Sequence, residues 1–251
     1  MKLKTVLLPV ILCLITVNVS AQIVNMESQR YHTDTTGWKG SISGNLALTN
    51  YGEKVFAVNA NAHIQYQSKK SLYLLLGSYG FLKGGDESFI DNGFLHFRYN
   101  FKLTKVVRLE AFTQLQQNAI TKIQSRFLIG AGPRFKIVGS KKLKLYAGVL
   151  AVYEIQKETD VPEEKRYWRS SNYLSLSFIP NAQTELVTTT YYQPVFNDFS
   201  NYRLLNQSVF KIRAGKKVFV NLNWNYQFDA VPAAGVPRET YSFSTGIELS
   251  L

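Results

Sequence analysis

Residues 218–228 run Val218-Phe219-Val220-Asn221-Leu222-Asn223-Trp224-Asn225-Tyr226-Gln227-Phe228. Val218, Val220, Leu222, Trp224, Tyr226 and Phe228 form an apolar and aromatic set, and the residues between them are mostly carboxamides. Successive side chains of a strand point to opposite faces, so this is a strand with two unlike faces. A Pro- and Gly-containing loop follows from Asp229 to Arg238. Tyr241, Phe243, Ile247 and Leu249 then alternate with Ser242, Ser244, Gly246 and Glu248. The hairpin is read as the last of an all-β chain, a transmembrane antiparallel up-and-down β-barrel.

The same period recurs upstream. Trp38, Gly40, Ile42, Gly44, Leu46 and Leu48 alternate with a polar set. Phe56, Val58, Ala60, Ala62, Ile64 and Tyr66 oppose Asn59, Asn61, His63, Gln65 and Gln67. No soluble edge strand requires so long a polar row. Residues 72–82 are apolar on both faces, which leaves their inward side unassigned. Farther on, Leu95, Phe97, Tyr99 and Phe101 oppose His96, Arg98 and Asn100. Val107, Leu109 and Ala111 oppose Arg108, Glu110, Gln114 and Gln116, a row whose charges are costly in lipid and cheap in a wet lumen. Phe127, Ile129, Phe135 and Ile137 oppose Arg126, Arg134 and Lys136. The pattern amounts to about twelve strands, an even number as single-chain outer-membrane barrels require.

The connections alternate in length. Those after the second, fourth, sixth, eighth and tenth strands are short. Those after the third, seventh, ninth and eleventh are expected to be longer, which points the short turns and both termini to the periplasm. Lys69, Lys70, Lys102, Lys105, Lys141, Lys142, Lys216 and Lys217 fall in or beside the short turns. There they discourage edge pairing during transit or meet anionic headgroups.

With 251 residues, one domain suffices. Residues 1–21 have the form of a signal peptide, with Lys2 and Lys4, an apolar middle and a Val19-Ser20-Ala21 cleavage site. Residues 22–36 form a polar periplasmic lead and 37–251 the barrel. Cys13, the single cysteine, lies in the signal peptide, leaving the remainder without thiol chemistry. A charge of +12 and a pI near 9.6 are compatible with nucleic acid, but the lysines sit in scattered turns rather than on one groove. After Ala21 no apolar run approaches the roughly 20 residues of a spanning helix. A membrane location then requires strands closed on themselves. A secreted soluble barrel that binds a small ligand alternates too, with the apolar face inward.

Candidate lumen-lining residues are Asn59, Asn61, His63, Gln65, Arg98, Arg108, Glu110, Gln114, Arg126, Arg134, Asn221, Asn223 and Asn225. Such a row either sets the selectivity of a pore, the arginine excess favouring small anionic or polar solutes, or hydrogen-bonds across a plugged lumen. Catalysis is not expected. An outer-membrane lipid-modifying enzyme needs a serine near a histidine on one face, and neither His63 nor His96 has one. No metal or cofactor set is apparent. The expected partners are outer-membrane lipids and, during insertion, the barrel assembly machinery.

Several short stretches carry a family resemblance. They are Trp38-Lys39-Gly40, Gly44 to Thr49, Gly130-Ala131-Gly132-Pro133-Arg134, Asn201-Tyr202-Arg203-Leu204, and Tyr226-Gln227-Phe228-Asp229 with Pro232, Gly235, Val236 and Pro237. Together they resemble the domain of unknown function 481 family, the YdiY-like salt-induced outer-membrane proteins, over about Trp38 to Leu251. The resemblance implies an outer-membrane barrel and no established activity.

Overall fold

The alternation becomes an unbroken ladder in the computed structural model, which describes residues 36–50, 52, 54–85, 87–215 and 218–249. Its strands are β1 (Gly37–Asn50), β2 (Lys54–Gln67), β3 (Ser71–Gly84), β4 (Glu87–Lys102), β5 (Val107–Asn118) and β6 (Ile123–Gly139), followed by β7 (Leu143–Glu158), β8 (Lys165–Asn181), β9 (Thr184–Val195), β10 (Asp198–Arg213), β11 (Val218–Asp229) and β12 (Glu239–Leu249). All twelve form one antiparallel sheet in chain order, an up-and-down meander. The signal peptide and, apart from Thr36, the lead lie outside the described residues, as do Lys216, Lys217 and Leu251.

Short polar side chains make the tight turns. Ser68 Oγ accepts the Ser71 N–H at 3.0 Å, Thr104 Oγ1 the Val107 N–H at 2.9 Å, and Ser140 Oγ the Leu143 N–H at 2.9 Å. Asn181 Oδ1 takes the N–H groups of Gln183 and Thr184. Each substitutes for a ladder bond where the chain reverses. The expectation of longer connections after the third and ninth strands is corrected. Only residues 85–86 separate β3 from β4, and 196–197 separate β9 from β10, because pairing continues to Gly84↔Glu87 and Val195↔Asp198. Pro194, a loop residue by composition, stands in β9 opposite Tyr202, where the ladder shifts register. The long connections are 159–164 and 230–238, both at the end opposite the lysine turns.

The sheet is inside-out by the standard of a soluble protein. Its exposed face carries Leu95, Leu109, Leu115, Ile129, Ile137 and Leu174, each about half exposed, while its buried face holds Arg98, Glu110, Arg126, Arg134, Glu154 and Arg169 at 5% exposure or less. Burying charge while leaving aliphatic side chains bare is unfavourable in water and favourable when the surrounding medium is hydrocarbon.

Aromatic residues bound this exposed face at both ends. Near the 68–70 turn Trp38, Tyr66, Tyr73 and Tyr99 form a row, with successive ring centroids 4.9, 6.1 and 4.9 Å apart. At the other end Tyr153 meets Trp168 at 5.1 Å, and Tyr202 lies 5.6 Å from Tyr192 and 5.5 Å from Phe228. Along β8 the exposed face runs from Trp168 to Phe178. At about 3.3 Å per residue and a tilt near 40°, that is about 25 Å along the axis, the height of a membrane-embedded band.

The structure assigns the inward side of the third strand. Leu72, Leu74 and Leu76 are buried on the face shared with Gln65, Arg98 and His96, while Tyr73 and Tyr79 are exposed. The sheet curls enough for β5 to touch β8 across the interior and for β7 to touch β10. Among the described residues no pairing joins β1 to β12, and nearly every residue of β1 is exposed. The inner rows of these edge strands are short: Ser41, Ser43 and Asn45 on one, Ser242, Ser244 and Gly246 on the other. They supply none of the long ionic contacts that draw β4 to β10 together.

Candidate functional site

The buried face is the chemically dense part of the molecule, and two carboxylates organise it. Glu110 of β5 accepts from Arg98 Nη1 at 3.2 Å, Arg134 Nη1 at 3.3 Å and the Tyr173 hydroxyl at 2.5 Å. Adjacent strands place the arginines, since Glu110 and Arg108 pair with Asn100 and Lys102 of β4 on one side and with Gly132 and Arg134 of β6 on the other. The Arg134 guanidinium lies 3.9 Å from the centroid of Tyr146, and Arg98 lies 5.1 Å from that of Phe112. Each cation therefore has an anion at one side and a ring face at another.

Gly148 makes the Tyr173 contact possible. A β-carbon there would stand 2.2 Å from the Tyr173 ring, so the bare backbone lets the ring lie across β7 towards Glu110. His96, between Phe94 and Phe112, has its Nε2 at 3.3 Å from the donating Arg98 Nε. Its proton is then on Nδ1, which donates to Gln114 Oε1 at 2.9 Å. Gln114 in turn donates to Gln116 at 2.6 Å. This arrangement employs the imidazole as a link in a chain of side chains.

Glu154 of β7 is fully buried, with three arginines around it: Arg169 Nε at 2.7 Å, Arg203 Nη1 at 2.9 Å and Arg126 Nε at 3.4 Å. Arg203 also donates to Asp229 at 2.8 Å, Arg126 to Gln156 at 2.7 Å, and Arg169 to Asn201 Oδ1 at 3.1 Å. Gln156 continues to Glu158, which Lys165 also reaches. Asp229 further accepts the Val231 N–H at 3.0 Å, so the cluster anchors the base of the 230–238 loop. Ala233 of that loop is buried, and Gly235 approaches Lys122 of the connection between β5 and β6.

All thirteen residues singled out from the sequence stand on this face by register. Gln65, Arg98, Glu110, Gln114, Arg126 and Arg134 are buried; Arg108 and His63 are half-buried. Asn59 and Asn61 are exposed, and Asn221, Asn223 and Asn225 are half-buried. Asn223 and Asn225 donate to Ser244 and Ser242 of β12 at 3.4 and 3.2 Å. Of the arginines picked out as a possible anion lining, Arg98, Arg126 and Arg134 are ion-paired and withdrawn from solvent, while Arg108 is half-buried, its guanidinium 6.0 Å from the Tyr146 centroid.

Sequence reasoning missed Glu154, Arg169, Tyr173, Arg203 and Asp229. Glu154 shares parity with Tyr146, Gly148, Leu150 and Val152, none of which is charged, so alternation gave no sign of it. Arg169 and Arg203 lie near strand ends beside loops, where alternation alone does not settle a face. Among the described residues no group of three or more His, Cys, Asp or Glu is placed to hold a metal ion.

A family model described as "Protein of unknown function, DUF481" matches residues 41–250. Two solved structures resemble the fold. One is reported as the NanC porin in a rhombohedral crystal form, at 10% identity and TM-score 0.49, covering 84% of this chain and 98% of its own. The other is the translocator domain of the autotransporter NalP from Neisseria meningitidis, at 11% identity and TM-score 0.44, covering 88% and 90%. No curated protein matches the chain.

Proposed function

Because the chain belongs to the DUF481 family, whose model matches residues 41–250, and folds as a single twelve-stranded meander, we propose that it is a non-catalytic outer-membrane β-barrel of structural or pore type. The supporting observation is the inverted polarity: aliphatic residues are bare on one face between two rows of aromatic rings, and ion pairs are sealed on the other. A soluble ligand-binding barrel places these faces the other way round. In a bilayer the free edges of β1 and β12 pair with each other, since unpaired backbone is not tolerated in hydrocarbon. The exported chain passes the inner membrane by its signal peptide, is inserted by the assembly machinery and contacts outer-membrane lipid along the aliphatic band.

The interior of β4 to β10 acts as a strut. Two carboxylates, five arginines and a tyrosine tie these strands together, and the Glu110–Tyr173 and Glu154–Arg203 contacts join strands three apart in the sheet order, which holds the curl of the wall. The test is fractionation of cells expressing the protein, followed by a gel run with and without boiling. The expected result is detergent-dependent extraction from the outer-membrane fraction and a band whose mobility shifts on heating. Recovery as a soluble monomer without detergent refutes the proposal.

A further inference from the structure

The interior is divided into two unlike walls. The buried charges cluster on β4 to β8 and on Arg203 and Asp229 at one end of β10 and β11, and they are satisfied by one another, while Lys39, Lys211 and Arg213 stand on the inner face at the end near the lysine turns. The inner rows of residues 41–47, 57–65, 221–227 and 240–246 contain no Asp, Glu, Lys or Arg. They are built from Asn, Ser, Thr, Gln, Ala and Gly with His63. Once β1 and β12 pair to close the barrel proposed above, β11, β12, β1 and β2 come to stand opposite β5 to β8.

The two walls also differ in how full they are. Arg98, Glu110, Arg134, Glu154 and Tyr173 extend into the interior and are at most 6% exposed. Asn59 and Asn61 are exposed, and Asn221, Asn223 and Asn225 are half-buried. The Asn, Ser and Ala side chains of this wall reach less far from the backbone than the Arg and Tyr of the other. A carboxamide both donates and accepts, as a hydroxyl does, so this wall matches a solute whose own groups are hydroxyls. Over these residues it presents no fixed charge to accompany an ion; Lys39, opposite Gln65, and Lys211, opposite Asn221, stand at its end near the lysine turns.

Resting on the barrel proposed above, we infer that the inner face of β11, β12, β1 and β2 is an uncharged path for small neutral polyhydroxylated solutes such as pentoses. Arg98, Arg126 and Arg134 do not select anions, because they are paired with Glu110 and Glu154 in the opposite wall. Selectivity is then set by size and hydrogen bonding rather than by charge.

The test uses the full mature chain in lipid vesicles. Vesicles holding it are expected to swell in isosmotic arabinose. In a planar bilayer under a potassium chloride gradient its current should reverse near zero voltage. The Asn61→Asp, Asn223→Asp double variant should favour cations several-fold, and the Asn61→Trp, Asn223→Trp variant should slow swelling several-fold, both retaining the heat-shifted band. A wild-type current that strongly favours anions, or Trp and Asp variants that change nothing, overturns the path. So does a heat-shifted barrel that neither swells nor conducts over many insertions, which leaves the barrel itself standing. Loss of the heat-shifted band in the wild type overturns barrel and path together.

Discussion

Replacing Glu154 by Gln tests whether the sealed ion pairs hold the wall together. The change keeps the shape and removes one charge from a site with no solvent exposure, leaving Arg126, Arg169 and Arg203 around a neutral amide. Breaking a buried pair in this way typically costs about 3–5 kcal/mol, because the remaining charge is left uncompensated. Three arginines do not triple the cost. Arg203 keeps Asp229 at 2.8 Å, Arg126 keeps Gln156 and Arg169 keeps Asn201, so the contributions share partners and are not additive. With a urea dependence near 2 kcal/mol per molar, the unfolding midpoint in vesicles falls by about 2 M. Tryptophan fluorescence and the heat-shifted band report the transition. Glu164→Gln is the control, since its partner Arg166 is exposed and the pair is screened by water. A Glu154→Gln midpoint equal to the wild type, or an equal fall in Glu164→Gln, refutes the reasoning.

Ile129→Arg places a cation on the bare face midway along β6, where Ile129 is 51% exposed. On a soluble surface the change is nearly neutral; at the centre of a bilayer it costs on the order of 2–4 kcal/mol, read as lower folded yield in vesicles. Gly132→Ala would set a β-carbon 2.1 Å from the Val149 carbonyl oxygen and 2.7 Å from the Leu150 Cα, both backbone, so urea unfolding should show a loss of about 1–3 kcal/mol. Gly44→Ala, with its nearest neighbour at 3.9 Å, should unfold like the wild type. Tyr173→Phe removes the hydroxyl that donates to Glu110 and should cost about 1.5–3 kcal/mol in the same measurement.

The strand number, the order of the strands and the row to which each candidate lining residue belongs were legible from alternation, because the period of two is a property of the backbone and survives whatever surrounds it. Strand ends were less legible. Composition marked Pro194 to Asn201 as a long loop, yet the ladder continues to Val195 and resumes at Asp198, since strand pairing overrides the local preference of single residues. For Leu72 to Leu82, apolar on both faces, parity carried no information until neighbours were present, and burial of Leu74 beside Gln65 and Arg98 then settled it.

By itself the sequence determined a meander of two-faced strands, its twelvefold count and the rows into which its polar residues fall. Only the tertiary structure decided which row is sealed and what the charges do there. The contacts of Glu110 with Tyr173 and of Glu154 with Arg203 join residues 63 and 49 positions apart on strands that are not neighbours. Such pairings depend on the curl of the whole sheet, a three-dimensional property that no local period encodes. Arg98, Arg126 and Arg134, which alternation could only place on a face, are for the same reason partners of two carboxylates.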